Sequence, residues 1–365
     1  MRLLKIIPLL LLVAFLAGCE NNKLDLGEIT SNSDSSSGNL NDTVYVKLNP
    51  DWTGFNKPQD VIIGREPFVY VADTENDRIV MLNLAGQVLG TRNIKHPVAI
   101  AQDYQLNLIV CARFDTTIQG REESLSAIYK IDLVSGGHNL QSAPMHRVLP
   151  AASDFAYIAE LRRREYTGVC VFYDNSYYVS RKGTNNTSIV DPDNSILMFS
   201  RIMQNNGSKK DSLIGRVPLV TPEGTGLISA NKISSLTSFN KKNLDFVLTL
   251  IGENSFKTQW FHYLETSDFS GYVSKLSPSS AAMMKVGKFL QPEGTAVDAA
   301  GNIYIADAGK DSVFKFNSYG DELQSFGGKN IFNKPHAVAV FDKILYVADT
   351  ENNRILRFVL STDVN

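Results

Sequence analysis

The sequence has few of the residues that mark disulfide-stapled proteins, zinc modules or nucleic-acid binders. It contains three cysteines and five histidines among 365 residues, and none of them shows a CxxC or other metal-ligand spacing. Its formal net charge is only −2, and it has no basic stripe of the type that binds nucleic acid. The sequence therefore predicts neither a bound metal nor a nucleic-acid partner.

Long apolar runs are also scarce, and the clearest one lies at the N-terminus. Ile6 to Leu16 is an uninterrupted apolar stretch of 11 residues that follows Arg2 and Lys5. A helix of this length spans about 16 Å, which is about half of a bilayer core of roughly 30 Å. Residues 1–18 are therefore predicted to be a signal peptide rather than a membrane span.

The end of this segment, Leu16-Ala-Gly-Cys19, resembles the bacterial lipobox. The resemblance implies that Cys19 carries diacylglyceryl and acyl lipid, the only cofactor expected, and anchors the protein in the cell envelope at the outer membrane. Each buried methylene of such chains contributes about 0.8 kcal/mol. The alternative is an ordinary signal peptide with an incidental cysteine. Residues 19–42 are rich in Asn, Ser, Asp and Gly, so they are predicted to form the lipidated cysteine and a flexible tether.

The other two cysteines, Cys111 and Cys170, lie in apolar strand-like runs. A cysteine in such a run usually behaves as a small buried hydrophobic residue, and this is the interpretation we adopt. A disulfide between the two is the alternative, because an envelope protein folds in an oxidising compartment.

A ten-residue word is repeated near the two ends of the chain. Tyr70–Ile79 recurs almost unchanged as Tyr346–Ile355, and a weaker copy is Tyr304–Val313. Such repetition indicates an array of like supersecondary units that bury their apolar faces by stacking or by closing a ring. Each unit reads as short strands bounded by turn residues.

These units resemble NHL repeats, in which a Pro leads a short apolar strand that is followed by Tyr-Val-Ala-Asp and Asn-x-Arg-Ile words. Three units match strongly, beginning at Pro58, Pro292 and Pro335, one beginning at Pro97 matches in part, and two more are divergent. The resemblance implies a β-propeller with one four-stranded blade per repeat. Residues 43–365 are therefore predicted to form an all-β, six-bladed propeller. A seventh blade is the alternative, because the chain between Pro97 and Pro292 is long enough for one more.

The predicted ring needs closure, since the last unit stops one strand short at residues 358–360. The segment Thr43–Leu48 precedes the first complete unit and alternates like an edge strand. Unpaired strand edges at both chain ends would be exposed. We therefore expect residues 44–48 to pair with the strand around residues 355–359 and to complete the last blade.

Two insertions interrupt the repeat between the clear units. One lies around Arg113–Ser126, and the other includes Tyr157–Arg164, which has a helical pattern. The second contains the basic run Arg162–Arg164, which we interpret as a solvated helix face.

Polar residues that recur in several units are expected to have structural roles, since a residue repeated in every blade does the same job in each. An Asp at the end of a buried strand can accept N–H bonds in the following turn, and an Arg that begins the next strand can pair with it. Asn76 and Asn352 are expected in left-handed turn positions. The repeat-structural residues are Asp73, Arg78, Asp307, Asp349 and Arg354.

Positions at which equivalent residues differ are the better candidates for function. On one face of a propeller lie the starts of the innermost strands and the turns between the middle two strands, around a central channel. A polar rim of this kind is suited to binding a ligand. The candidate ligand-face residues are Gln59, Asp60, Arg113, Lys182, Glu293, Lys310 and His336.

The sequence thus predicts a membrane-tethered, non-catalytic binding or scaffold protein with a protein, peptide or glycan partner. No catalytic residue is assigned. The alternative is a metal-dependent lyase or lactonase, since propellers that resemble this one include such enzymes. That alternative requires about three convergent ligands, and His96 and His336 fall on opposite sides of the blade Pro.

Overall fold

The computed structural model describes residues 43–205, 207, 209–239, 241–277 and 281–364. The predicted signal peptide, the lipidation of Cys19 and the tether lie outside these residues. Within them, no helix has both the length and the apolar character needed to cross a membrane.

The described chain forms six antiparallel sheets of four strands each, which confirms the six-bladed propeller and not the seven-bladed alternative. The first twelve strands are β1 (Tyr45–Trp52), β2 (Pro58–Ile63), β3 (Val69–Asp73), β4 (Arg78–Leu82), β5 (Val88–Asn93), β6 (Lys95–Gln102), β7 (Leu108–Ile118), β8 (Arg121–Ile131), β9 (Met145–Leu149), β10 (Glu165–Val171), β11 (Tyr177–Lys182) and β12 (Ser195–Met203). The others are β13 (Lys209–Arg216), β14 (Ile233–Ser238), β15 (Phe246–Leu250), β16 (Thr258–Glu265), β17 (Ser270–Ser274), β18 (Pro292–Val297), β19 (Ile303–Asp307), β20 (Ser312–Phe316), β21 (Glu322–Gly327), β22 (Pro335–Phe341), β23 (Ile344–Asp349) and β24 (Arg354–Leu360).

In blades 1 to 5 the strands run outward from the central channel in chain order, and in blade 6 the outermost strand is the first strand of the chain. Blades 1 to 5 contain β2–β5, β6–β9, β10–β13, β14–β17 and β18–β21, and blade 6 contains β22, β23, β24 and β1. The inner strands of consecutive blades touch, and β22 of blade 6 touches β2 of blade 1. The blades therefore close into one ring. We call the end of the ring where the inner strands begin the upper face.

The predicted closure by the N-terminal strand is confirmed. β1 pairs antiparallel with β24, with Tyr45 opposite Leu360 and Leu48 opposite Arg357. The ring of Tyr45 also stacks on Phe326 of blade 5, with centroids 4.6 Å apart. The two ends of the chain thus share the last blade, and β1 covers the edge that β24 would otherwise expose.

The hydrophobic core is divided among the boundaries between blades. Six clusters of buried residues occur, one at each boundary. In β3, Val69 and Val71 point to blade 6 while Tyr70 and Ala72 point to blade 2. This alternation explains the apolar run Val69–Ala72, because both faces of the strand are buried there.

The repeated Asp residues hold the turns together, as predicted. Asp349 is completely buried, and it accepts hydrogen bonds from Arg354 Nε at 2.7 Å and Asn352 Nδ2 at 2.8 Å. Its other oxygen accepts the backbone N–H of Asn333 at 2.7 Å. One carboxylate therefore ties the start of the blade to the turn between its second and third strands.

The same arrangement recurs in blade 1, where Asp73 accepts from Arg78 Nε at 2.6 Å. In blade 5, Asp307 accepts the backbone N–H groups of Leu290 and Gln291. A Ser stands there at the Arg position, Ser312, so the carboxylate keeps its role in the turn without an ion pair.

The left-handed positions lie one residue later than predicted. Asn76 and Asn352 end short 3-10 helices, and the next residues, Asp77 and Asn353, have φ values of 51° and 57°. The expectation for the two Asn residues was wrong because the turn contains a 3-10 helix.

Side chains of these turns also connect neighbouring blades. Thr74 Oγ1 of blade 1 donates to the carbonyl of Pro97 in blade 2 at 2.7 Å. Thr350 Oγ1 of blade 6 donates to the carbonyl of Pro58 in blade 1 at the same distance. Asn353 Oδ1 accepts the backbone N–H of Lys57 at 2.8 Å. The ring is therefore closed by side-chain hydrogen bonds between blades 6 and 1 in addition to β1.

The insertion in blade 2 is an extended hairpin on the upper face. β7 and β8 pair without interruption from Leu108 opposite Ile131 to Ile118 opposite Arg121. The second insertion forms a 3-10 helix, Ala152–Tyr157, followed by helix α1, Ile158–Arg163, as its pattern predicts.

The basic run Arg162–Arg164, at the C-terminal end of α1, is not simply a solvated face, and that interpretation was wrong for two of its residues. Arg162 pairs with Glu123 on the hairpin. Arg163 Nε and Arg164 Nε each lie 2.7 Å from Asp193, whose side chain is fully buried. Asp193 belongs to the loop between β11 and β12. Arg163 and Arg164 therefore hold this loop in place on the upper face.

Cys111 and Cys170 are free and buried, as the preferred interpretation predicts. Burial raises the pKa of both thiols, so they remain protonated and unreactive.

Candidate binding site at the mouth of the channel

A channel of about 1060 Å³ runs through the ring, and its walls are the six inner strands. Gln59, Asp60, Glu293 and His336 lie on the walls near the upper end. We call this upper end the mouth. Four of the predicted ligand-face residues are thus brought together, on the consecutive blades 5, 6 and 1.

Asp60 is unusual among the residues at its level in the wall. It is the first residue after a bulge in the inner strand and pairs with Ala72 of β3. The equivalent residues of the other blades are small and uncharged: Ala99, Gly168, Ser235, Gly294 and Ala337. Asp60 is therefore the only one of the six equivalent inner-strand residues that has a carboxylate.

The Asp60 carboxylate connects the inner strands of blades 1 and 2. Its two oxygens accept the backbone N–H groups of Val61 at 2.8 Å and of Ile100 at 2.7 Å. Burial raises the pKa of Asp60 to about 7, while these two hydrogen bonds lower it. Asp60 thus changes its charge near neutral pH.

Glu293 and His336 open the inner strands of blades 5 and 6. Glu293 Oε1 accepts a hydrogen bond from Gln291 Nε2 at 2.7 Å. Burial lowers the pKa of His336, although the carboxylates of Glu293 and Glu351 raise it. At neutral pH His336 is therefore an uncharged imidazole at the mouth.

Arg113 and Lys182 lie across the ring on blades 2 and 3 and converge on Glu165. Lys182 Nζ is 3.1 Å from Glu165 Oε2, and Arg113 Nη1 is 3.6 Å from Glu165 Oε1. Sequence reasoning missed Glu165. Its position could have indicated it, because Glu165 begins the inner strand of blade 3 and the candidate Glu293 lies near the start of the inner strand of blade 5.

Lys310, like Arg113 and Lys182, is not among the residues that line the channel. Its Nζ donates to the carbonyl of Lys288, and it lies 5.9 Å from the ring centre of Phe314. These contacts hold the side chain against blade 5, outside the channel lining. Lys310 is therefore a suitable control position for tests of the mouth.

The wall of blades 3 to 5 carries many hydroxyl groups, and their protons are used between blades. Thr167 donates to the carbonyl of Ile233 at 2.6 Å, and Ser234 donates to that of Pro292 at 2.7 Å. Thr237 donates to the carbonyl of Thr295 at 2.8 Å. Each of these oxygens also lies within hydrogen-bonding distance of a second hydroxyl group, that of Ser180, Thr249 or Thr295 respectively. These side chains are therefore engaged between strands and blades.

The width of the mouth depends on glycine at position 294. A Cβ added there would lie 2.3 Å from the carbonyl oxygen of His336 in the next inner strand. We expect Gly294→Ala to lower the free energy of unfolding by about 1–3 kcal/mol, because the backbones must separate. Thermal or urea unfolding measures this effect. The matched control is Gly226→Ala, where a Cβ meets nothing within 4 Å, and an equal loss in both variants would contradict the packing argument.

No group of three or more His, Cys, Asp or Glu residues suited to one metal ion occurs in the described part of the chain. His262, which lies on β16 and does not line the channel, is bound through Nδ1 to Asp245 at 2.9 Å. The described residues thus offer hydrogen-bonding and charged groups at the mouth, but no recognisable set of metal ligands.

The NHL repeat family matches the chain at residues 332–358. These residues form most of blade 6, so the chain carries an NHL repeat within a six-bladed β-propeller. No curated protein is significantly similar to the chain in sequence.

Solved structures share the fold at low sequence identity. A gluconolactonase from Xanthomonas campestris is 13% identical with a TM-score of 0.53, covering 88% of this chain and 91% of its own. The calcium-binding protein regucalcin from Agrobacterium tumefaciens is 11% identical with a TM-score of 0.54, covering 84% and 91%. An auxiliary nutrient binding protein from Bacteroides thetaiotaomicron is 10% identical with a TM-score of 0.54, covering 84% and 70%. Propellers similar in fold to this chain therefore include both enzymes and binding proteins.

Proposed function

We propose that the chain is a non-catalytic binding protein of the bacterial cell envelope, tethered through a lipid on Cys19. Its partner, a protein, peptide or glycan, is held at the mouth of the channel on the upper face. The rigid ring presents the binding residues, and the tether keeps the protein at the outer membrane.

One observation carries the location of the site. The residues repeated in several blades, such as Asp349 and Arg354, are engaged in turns, whereas the residues at the mouth differ from blade to blade. Gln59, Glu293 and His336 line an open channel, and a concave site with a few distinct polar groups is the usual form of a binding site.

The alternative, a metal-dependent lyase or lactonase, has less support. Catalytic metal sites commonly use about three protein ligands, and the described residues provide no such set. Elemental analysis of the purified protein tests this directly. We expect no stoichiometric zinc or calcium, and a stoichiometric metal would favour the enzyme.

The binding proposal predicts that mouth substitutions abolish partner capture. Full-length protein is immobilised and incubated with solubilised native membranes, and the retained molecules are identified. We expect the double variant Glu293→Gln/His336→Gln to lose most of the specific partner, because both side chains face the ligand. Lys310→Gln is the control and should retain the partner, since Lys310 lies outside the channel lining.

Thermal unfolding must first show that both variants are folded. Equal capture by the wild type, the double variant and the control would contradict the proposed location of the site.

A further inference from the structure

The six residues that ring the mouth differ from blade to blade. Each of them lies within the bulge near the start of an inner strand, and each lines the channel. In the order of blades 1 to 6 they are Gln59, Val98, Thr167, Ser234, Glu293 and His336. This ring of six therefore contains one carboxylate and no lysine or arginine.

The groups that remain available to a ligand lie on one half of the ring. On blades 2, 3 and 4 the mouth has the apolar side chain of Val98 and the hydroxyl groups of Thr167 and Ser234. Both hydroxyls donate to carbonyls of the next blade, at 2.6 and 2.7 Å. On blades 5, 6 and 1 the mouth has a carboxylate, an imidazole and an amide, which all contain a hydrogen-bond acceptor.

The polar side chains on blades 5, 6 and 1 have unused hydrogen-bonding capacity. Glu293 accepts one hydrogen bond, from the neutral amide of Gln291 at 2.7 Å, whereas a carboxylate can accept about four. Within the described ranges Glu293 forms no ion pair, and the side chains of Gln59 and His336 have no hydrogen-bond partner. These three side chains can therefore bind a ligand without giving up a contact inside the protein.

A second carboxylate lies one level deeper on the same half of the ring. Asp60 accepts hydrogen bonds from two backbone N–H groups, which carry no charge. Among the described residues that line the channel, the lysines and arginines are Arg65, Lys315 and Lys343, and all three lie toward the lower face. The wall of the upper end is therefore negative when Asp60 and Glu293 are ionised.

Two lysines of the rim do not cancel this charge. Lys57 Nζ and Lys334 Nζ lie 3.4 and 4.0 Å from the carboxylate of Glu351, and neither lysine lines the channel. Two lysines thus stand against the three carboxylates of Glu351, Glu293 and Asp60. A cleft lined by one sign of charge raises the local concentration of ligands of the opposite sign.

We infer that the mouth binds a basic side chain, the ammonium group of a lysine or the guanidinium group of an arginine, which a protein or peptide partner inserts between blades 5, 6 and 1. Both groups carry only hydrogen-bond donors, and they meet the acceptors of Glu293, His336 and Gln59. Hydrogen bonds between charged groups are about twice as strong as neutral ones. The inference rests on the proposed function and narrows its partner to a protein or peptide, because a neutral glycan cannot use the charge.

The test is isothermal titration calorimetry of the full-length protein with two peptides at low ionic strength. Each peptide has five residues and blocked ends, with alanine around a central lysine in one and around a central norleucine in the other. Norleucine keeps the apolar stem and lacks the ammonium group. We expect the lysine peptide to bind at least about tenfold more tightly, since one charge-assisted contact contributes at least about that factor.

Variants assign this preference to the mouth. Glu293→Gln should weaken binding of the lysine peptide about tenfold, whereas Glu293→Asp, which keeps the charge, should retain the preference for lysine. Asp342→Asn is the matched control, because it removes the same charge from a residue that lines the lower end of the channel. It should bind as the wild type does. Thermal unfolding first shows that each variant is folded.

The failures of the two proposals are distinguishable. Equal binding of the two peptides to the wild type, or an equal loss in Glu293→Gln and Asp342→Asn, would overturn the inference. If neither peptide bound at millimolar concentration while partner capture still depended on Glu293 and His336, the site would stand and the basic side chain would be wrong. If Glu293→Gln/His336→Gln bound the lysine peptide and captured the partner as the wild type does, both proposals would be wrong.

Discussion

Deleting the residues before Pro50 is expected to lower the free energy of unfolding by about 3–5 kcal/mol. The deletion removes the pairing of Tyr45–Leu48 with β24, and backbone hydrogen bonds contribute about 1 kcal/mol each. It also removes Tyr45 from its stack on Phe326, and burial of a large apolar side chain contributes about 1.5–3 kcal/mol. Urea denaturation followed by circular dichroism measures the change.

The control for this experiment is deletion of residues 1–42 alone. These residues are predicted to contain the signal peptide and tether, so their loss should leave the unfolding midpoint unchanged. If both shortened proteins unfolded at the same urea concentration as the full chain, the pairing of β1 with β24 would contribute nothing to the free energy of unfolding.

Replacement of Asp349 by Ala is expected to cost about 3–5 kcal/mol, as does removal of one partner from other buried ion pairs. The carboxylate is fully buried and accepts three hydrogen bonds, from Arg354, Asn352 and the backbone of Asn333. All three donors lose their partner in the variant. The free energy of unfolding from urea titration measures the cost.

Asp363→Ala is the matched control for this substitution. Asp363 also pairs with a cation, but its partner Lys343 is 68% exposed, and exposed pairs contribute about 0–1 kcal/mol. A cost for Asp349→Ala as small as that of the control would show that the repeated Asp does not hold the blade together.

The fold was predictable because the residues that build it act locally and recur. The word shared by Tyr70–Ile79 and Tyr346–Ile355 contains a buried strand, its Asp and the Arg that pairs with it, all within ten residues. Closure was predictable for the same reason, since an incomplete last unit and a spare first strand are both visible in the sequence.

The candidate site was only partly predictable, because its contacts join distant segments. Glu165 lies opposite Lys182 in the β10–β11 pair, but its contact with Arg113 crosses from blade 3 to blade 2. The roles of Arg163 and Arg164 depend on Asp193, about thirty residues away. No periodic pattern in the sequence connects such residues. Lys310 lies at the turn that the sequence indicates, but the sequence does not show that its side chain packs against blade 5.

The central claim, that the partner binds at the mouth of the ring, is tested most directly by a crystal structure of the protein with the partner captured from native membranes. The account predicts that atoms of the partner lie within hydrogen-bonding distance of Glu293 or His336 at the upper end of the channel. A partner bound to the outer strands or to the lower face, with the mouth unoccupied, would contradict it.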